Sequence, residues 1–184
     1  MREVRWVSEE EGGVEHLAFD ARPDGFYIES VIVGQCDGTR YGLFYSVHCD
    51  PQWRTLHAYL KVTGGATLEL AGDGAGNWHD GHGFALTQLA GCIDIDITAT
   101  PFTNTLPIRR LQLSRGARQT IPVAYISAPD LQVERVEQAY TCVEPNAEYR
   151  YEGMTTHFAA NLPVDADGLV IDYPTLFTRL PPVV

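Results

Sequence analysis

The sequence predicts an all-β protein, mainly antiparallel, that forms a single domain over residues 1–184 with little helix. Apolar residues recur at every second position in several short segments, which places them on one face of a strand. Turn-forming residues separate these segments, and the 17 Gly and 11 Pro are scattered along the chain rather than clustered. Repeated short strands with close turns favour a meander, roll or barrel over an α/β sheet.

The alternation of apolar residues locates individual strands. It is clearest in residues 41–49, 56–62, 66–70, 93–97 and 121–125. Residues 129–142 favour one long strand, whereas residues 173–180 are compatible with a short helix. The expected turns contain Asp37-Gly38, Gly64-Gly65, Asp73-Gly74 and Asp167-Gly168. Glycine adopts a positive φ at little cost in such turns.

Composition and charge exclude several classes of partner. A formal net charge of −11 repels nucleic-acid phosphates and anionic membranes, so we expect no nucleic-acid partner. Residues 1–13 lack the apolar stretch of a signal peptide, and no segment approaches the ~20 apolar residues of a membrane span. We therefore expect a cytoplasmic protein without an integral membrane segment.

Four cysteines, Cys36, Cys49, Cys92 and Cys142, are widely spaced and form no C-x-x-C motif. In a reducing compartment this pattern predicts free, mostly buried thiols, with a disulfide or a zinc site as the alternative.

The most unusual segment spans residues 77–113 and begins with Trp78, His79, Asp80 and His82. The two histidines and the aspartate could form part of a metal site, but a metal needs further well-placed ligands, and H-x-x-H is a short and common motif. We expect a glycine-containing turn that presents Trp78, with surface histidines and no metal.

Asp94 and Asp96 lie in the same segment and share one face of a predicted strand, about 6.6 Å apart at Cα. Three roles fit this pair: ion pairing with Arg109 or Arg110 on a neighbouring strand, binding of ligand hydroxyls, and acid–base catalysis. Ion pairing is the expectation. The polar stretch 100–107, between the aspartates and the arginines, predicts a rigid loop that carries Phe102 and Asn104, followed by a strand over residues 108–113.

The segment also carries a family resemblance. The residues Asn77-Trp78, Asp80-Gly81, Gly91 to Ile97 and Thr100 to Leu111 resemble a bacterial family of glycolipid-binding proteins, once catalogued only as a domain of unknown function. Val123 to Ile126, Pro129 and Gln138 to Tyr140 continue the similarity over nearly the whole chain. The resemblance implies a β-rich roll or unclosed barrel, similar in outline to carriers of lipoproteins and glycolipids, and it supplies no catalytic residues.

Non-catalytic binding of an amphiphilic ligand, a glycolipid or a fatty-acyl compound, is the leading hypothesis, and it requires no cofactor. The predicted binding residues are Trp78, His79, Asp80, Asp94, Asp96, Phe102, Asn104, Arg109 and Arg110. An alternative is a hydrolase or isomerase that acts on a sugar or lipid conjugate through Asp94 and Asp96. A third hypothesis is a protein-interaction module. The edge strands of an open roll would also allow homo-oligomerisation.

Overall fold

The computed structural model describes residues 1–9 and 12–182. These residues form fourteen strands, one α-helix and two short 3-10 helices. Nine strands build the larger sheet: β1 (Arg2–Ser8), β2 (Val14–Arg22), β3 (Gly25–Cys36), β4 (Thr39–Cys49), β5 (Thr55–Val62), β6 (Thr67–Gly72), β7 (Trp78–Asp80), β13 (Asp172–Tyr173) and β14 (Phe177–Arg179). Its order is β13-β14-β1-β2-β3-β4-β5-β6-β7, antiparallel throughout.

The smaller sheet has five strands in the order β12-β11-β10-β9-β8. They are β8 (Asp94–Ile97), β9 (Arg118–Ile126), β10 (Val133–Glu144), β11 (Glu148–Gly153) and β12 (Ala159–Pro163). Only β8 and β9 pair in parallel among the described strands. The 3-10 helices Thr87–Leu89 and Phe102–Asn104 flank β8, and α1 (Thr105–Leu111) follows the second of them.

The predicted fold class is confirmed. The protein is mostly antiparallel β, and a curled five-stranded sheet packed against a large sheet gives an unclosed barrel. Every second residue of β4 from Leu43 to Cys49 is buried, as the alternation of its sequence predicts. These side chains pack with Ile95 and Ile97 of β8 in a core between the two sheets.

The other face of the smaller sheet carries a second apolar cluster. Asp94 pairs in register with Val123 of β9, so Asp94 and Asp96 lie on this second face rather than in the core between the sheets. Ile108 of α1 and residues from the segment 164–173 cover part of the face. The two aspartates therefore share a face, as predicted. That face lies outside the core between the two sheets.

Three local predictions are wrong. Residues 100–107, predicted as loop, contain the 3-10 helix Phe102–Asn104 and the start of α1. Residues 108–111, predicted as strand, also belong to α1, which contains Pro107 at its third position. The first four N–H groups of a helix have no acceptor within it, so the missing N–H of a proline costs little there. Residues 173–180, compatible with a short helix from sequence, instead contribute strand residues to β13 and β14.

Within residues 1–9 and 12–182, no helix combines the length and the apolar composition needed to span a bilayer.

Candidate functional site

The candidate site is a cavity of about 610 Å³ beside the second face of the smaller sheet. Residues of β8, β9, β10 and β11 line it, together with the loop 154–156 and the segment 173–177. Its volume lies within the roughly 300–1,000 Å³ of small-molecule pockets. We call it the ligand cavity.

Polar side chains form the floor of the ligand cavity. The carboxylate of Asp96 accepts a hydrogen bond from Thr103 Oγ1 at 2.9 Å and another from Gln138 Nε2 at 2.5 Å. Asn104 Oδ1 accepts a hydrogen bond from the Tyr140 hydroxyl at 2.9 Å. Since each carboxylate oxygen can accept two hydrogen bonds, Asp96 retains acceptor capacity for a ligand hydroxyl.

The carboxyl group of Asp96 is buried with no basic side chain of a described residue beside it. Burial raises the pKa of Asp96 because removal from water disfavours the ionised form, and the hydrogen bonds from Gln138 and Thr103 oppose this shift only partly. None of the described basic side chains forms an ion pair with Asp96 at 4.0 Å or less. A ligand donor would therefore meet a carboxyl group that no described basic side chain already engages.

Aromatic side chains form the wall of the ligand cavity. Tyr151, Phe158, Tyr173 and Phe177 contact one another in sequence, with ring centroids 6.0–6.3 Å apart. Within the part of the chain that the structure describes, no residue hydrogen-bonds to the hydroxyls of Tyr125, Tyr151 or Tyr173, although all three line the cavity. Their burial, aided by the nearby charge of Asp96, raises the pKa of each phenol and keeps it a hydrogen-bond donor.

The rim of the ligand cavity is charged. Glu134, Arg135 and Glu137 of β10 lie there, and Arg135 forms an ion pair with Glu137 at 2.6 Å. Met154 and the two threonines of the loop 154–156 are exposed at the same opening. One cavity thus combines a solvated rim, an aromatic wall and a hydrogen-bonding floor.

A second cavity of about 330 Å³ adjoins the first and shares the lining residues Thr98, Leu176 and Phe177 with it. Glu15 lines this cavity and is only 3% exposed. Its carboxyl group accepts hydrogen bonds from Ser30 at 2.7 Å, Tyr45 at 2.6 Å and Thr100 at 2.7 Å. Burial outweighs these three donors and raises the pKa of Glu15 to about 7.

The structure disperses most of the binding residues predicted from sequence. Asp96 and Asn104 line the ligand cavity. Trp78 is buried and donates its indole N–H to the backbone oxygen of Cys92 at 2.7 Å. Phe102 is fully buried in the core between the sheets.

The expected glycine-containing turn follows Trp78, which itself lies in β7 and is not presented by the turn. His79 is exposed, and Asp80 accepts backbone hydrogen bonds from His82 and Phe84, each at 2.9 Å. Among the described residues, no group of three or more His, Cys, Asp or Glu side chains has the arrangement of a metal site. Asp80 therefore stabilises the turn through its hydrogen bonds.

The predicted ion pair is present between Asp94 and Arg110. Asp94 is fully buried and accepts hydrogen bonds from Arg110 Nε at 3.0 Å and Nη2 at 2.6 Å. Asp94 is thus occupied by Arg110, and of the two aspartates only Asp96 lines the ligand cavity. Arg109 lines a separate cavity at the end of α1.

Sequence reasoning missed the aromatic wall, Gln138 and Glu15. Glu15 could have been predicted to point inward, because it alternates in step with the apolar residues Leu17 and Phe19 of the same strand. The aromatic wall could not have been predicted, because Tyr151, Phe158 and Tyr173 lie in separate parts of the chain that only the tertiary fold brings together.

The four cysteines are free. Cys49, Cys92 and Cys142 are buried and Cys36 is half-buried, in agreement with the expected burial.

The fold and the cavity define the protein as an unclosed β-barrel with an internal, partly polar pocket. A model of the family described as "Putative glycolipid-binding" matches residues 3–179, and the chain belongs to this family. A crystal structure of a DUF1089 family protein from Pseudomonas aeruginosa is similar, with 41% sequence identity and a TM-score of 0.82. The match covers 90% of this chain and 92% of that one. No curated protein matches the chain.

Proposed function

We propose that the protein binds a small amphiphilic ligand, a glycolipid or a fatty-acyl compound, in the ligand cavity and does not transform it. The observation that carries this proposal is the presence of a polar floor and an aromatic wall in one cavity of about 610 Å³. The family description supports the same class of ligand.

The floor suits a hydroxylated head group. Asp96 can accept hydrogen bonds from sugar hydroxyls, and the phenols of Tyr125, Tyr151 and Tyr173 can donate them. A ligand hydroxyl that donates to Asp96 would favour its ionised form against the effect of burial, and hydrogen bonds to an ionised carboxylate are stronger than those between neutral groups. Asp96 is therefore the main polar contact in the proposed complex.

The wall suits an apolar chain or the apolar face of a sugar ring. Tyr151, Phe158 and Phe177 offer ring faces, and Met154 and Leu176 extend the apolar surface toward the rim. Each buried CH₂ group of an acyl chain contributes about 0.8 kcal/mol of transfer free energy.

A cavity-filling variant tests the proposal. Val136 of β10 lines the ligand cavity, and Val136→Trp would fill it with an indole. Val31 of β3 is 51% exposed and does not line this cavity, so Val31→Trp is a matched control in a strand. Octyl glucoside, which joins a sugar to an eight-carbon chain, is the probe, used below its micelle concentration in isothermal titration calorimetry.

The expected result is saturable binding to wild type and to Val31→Trp, and at least roughly tenfold weaker binding to Val136→Trp, about 1.4 kcal/mol. Circular dichroism checks that each variant is folded. Glucose alone and octanoate alone should each bind more weakly than the joined compound. Equal affinity for Val136→Trp and Val31→Trp would refute the cavity as the binding site.

A further inference from the structure

A third cavity lies at the end of α1 and shares no lining residue with the ligand cavity. Its volume is about 410 Å³, and its lining includes Arg109, Gln112, Asn146, Tyr149 and Gly168. No Asp or Glu side chain is among its described lining residues. We call it the arginine cavity.

Arg109 brings a charge that its neighbours leave unpaired. A guanidinium group has five N–H donors, and the hydrogen bond that Arg109 makes runs from Nη1 to the backbone oxygen of Ala166 at a long 3.4 Å. Its Nε lies buried without an acceptor among the described residues. None of the described carboxylates forms an ion pair with Arg109. A buried donor left unsatisfied on a charged group is costly, so a bound acceptor would be stabilised here.

The acidic residues beside Ala166 are already neutralised. Asp165 forms ion pairs with Arg2 and Arg179, and Asp167 forms one with Arg2. Two carboxylates and two guanidinium groups balance in this cluster, so Arg109 leaves a local excess of one positive charge. This excess stands out in a chain whose formal net charge is −11.

The surroundings hold Arg109 in place. Its guanidinium carbon lies 5.8 Å from the ring centroid of Trp53, a cation–π distance that does not neutralise the charge. At Gly168, an added Cβ would lie 2.6 Å from Arg109 Cδ, so glycine makes room for the side chain to pass. The residue is therefore positioned by an aromatic ring and a close backbone approach.

We propose that the arginine cavity binds an oxyanion, an inorganic phosphate or a phosphate ester, through Arg109. The planar guanidinium matches phosphate oxygens with two parallel N–H donors. The side-chain amides of Gln112 and Asn146 make no hydrogen bond to a described residue and supply further donors. This site is independent of the amphiphile proposed for the ligand cavity.

Titration calorimetry with inorganic phosphate, at constant ionic strength set with chloride, tests the proposal. Wild type should bind phosphate saturably with one site per chain. Arg109→Met should weaken binding about tenfold or more, the loss expected for a hydrogen-bonded charged donor. Arg40 is exposed and outside this cavity, so Arg40→Met removes the same charge as a control and should bind like wild type.

Glycerol phosphate, acetate and phosphate compared on the same protein distinguish the sources of the anion. Tighter binding of glycerol phosphate identifies an ester, and equal binding of the two phosphates identifies the free anion. Preferential binding of acetate would overturn the assignment to phosphate chemistry. No saturable heat with either phosphate, or equal loss in Arg109→Met and Arg40→Met, would overturn the site.

A second measurement on wild type keeps the test independent of whether Arg109→Met folds. Phosphate should shift the backbone amide NMR signals of Gln112, Leu113 and Asn146, which surround the cavity. Shifts confined to other parts of the chain would place the anion elsewhere and contradict the proposal.

Discussion

Glu15 is the residue whose environment most clearly links the fold to pH. Its carboxyl group is buried with no ion-pair partner among the described residues, and burial raises its pKa from 4.5 to about 7. The folded state therefore holds the carboxyl proton of Glu15 up to a higher pH than the unfolded chain does. The stability that this neutral carboxyl group contributes is fully present below about pH 4.5 and is lost as pH rises through about 7.

A comparison of wild type with Glu15→Gln isolates this effect, because glutamine cannot ionise and has a similar shape. The free energy of unfolding of wild type, relative to Glu15→Gln, should fall by about 3 kcal/mol between pH 4 and pH 8. Urea unfolding at several pH values measures it. Parallel pH curves for the two proteins would show that Glu15 does not titrate differently on folding.

Asp94 and Arg110 offer a second test at the same scale. Arg110→Met leaves the fully buried Asp94 carboxylate unpaired, which should lower the free energy of unfolding by about 3–5 kcal/mol. Asp94→Asn combined with Arg110→Met should recover a large part of that loss, since no charge then remains buried. A double variant whose loss is the sum of the two single losses would argue against coupling between these groups.

Single residues show why the site was only partly predictable. The pairing of Asp94 with an arginine followed from opposite charges within a short stretch of sequence. Its partner, however, lies on a helix rather than on a strand, because Pro107 occupies a first-turn position where it is tolerated. Pro107 was interpreted as part of a loop, whereas the first turn of a helix accommodates a proline.

At the scale of elements, strands were predictable and the short helix was not. Period-two alternation marks β4, β5 and β9 because one face of each packs in a core. The seven residues of α1 are too few for a helical period to emerge, and the helix is stabilised by burial of Leu106 and Ile108 rather than by propensity. Residues 177–179 form a strand because they pair with β1, and residues 172–173 pair in turn with residues 177–178. These hydrogen-bond partners are not evident from the local sequence.

The end of α1 provides a prediction for this element. Gln112 follows the helix with φ of 47°, a left-handed conformation that favours glycine. Gln112→Gly should raise the free energy of unfolding by about 0.5–1 kcal/mol, measured by urea unfolding. The control is Gln119→Gly in β9, which should instead destabilise the protein because glycine weakens a strand interior. Lower stability of Gln112→Gly would show that the amide makes a stabilising contact.

At the scale of the whole molecule, the unclosed barrel places an apolar cluster on each face of the smaller sheet. The core between the sheets is filled by interlocking apolar side chains, whereas the second face of the smaller sheet is only partly covered by α1 and the segment 164–173. The ligand cavity is the uncovered remainder of that face. Sequence alternation predicts the β fold, but it cannot predict a gap in coverage, which depends on how distant segments pack.

The most direct test of amphiphile binding is native mass spectrometry of the protein purified without detergent from its native host, followed by solvent extraction. Wild type and Val31→Trp should carry a discrete extra mass that extracts as a lipid or glycolipid, and Val136→Trp should lack it. A ligand-free mass of wild type at every charge state, together with no octyl glucoside binding, would contradict the proposed function.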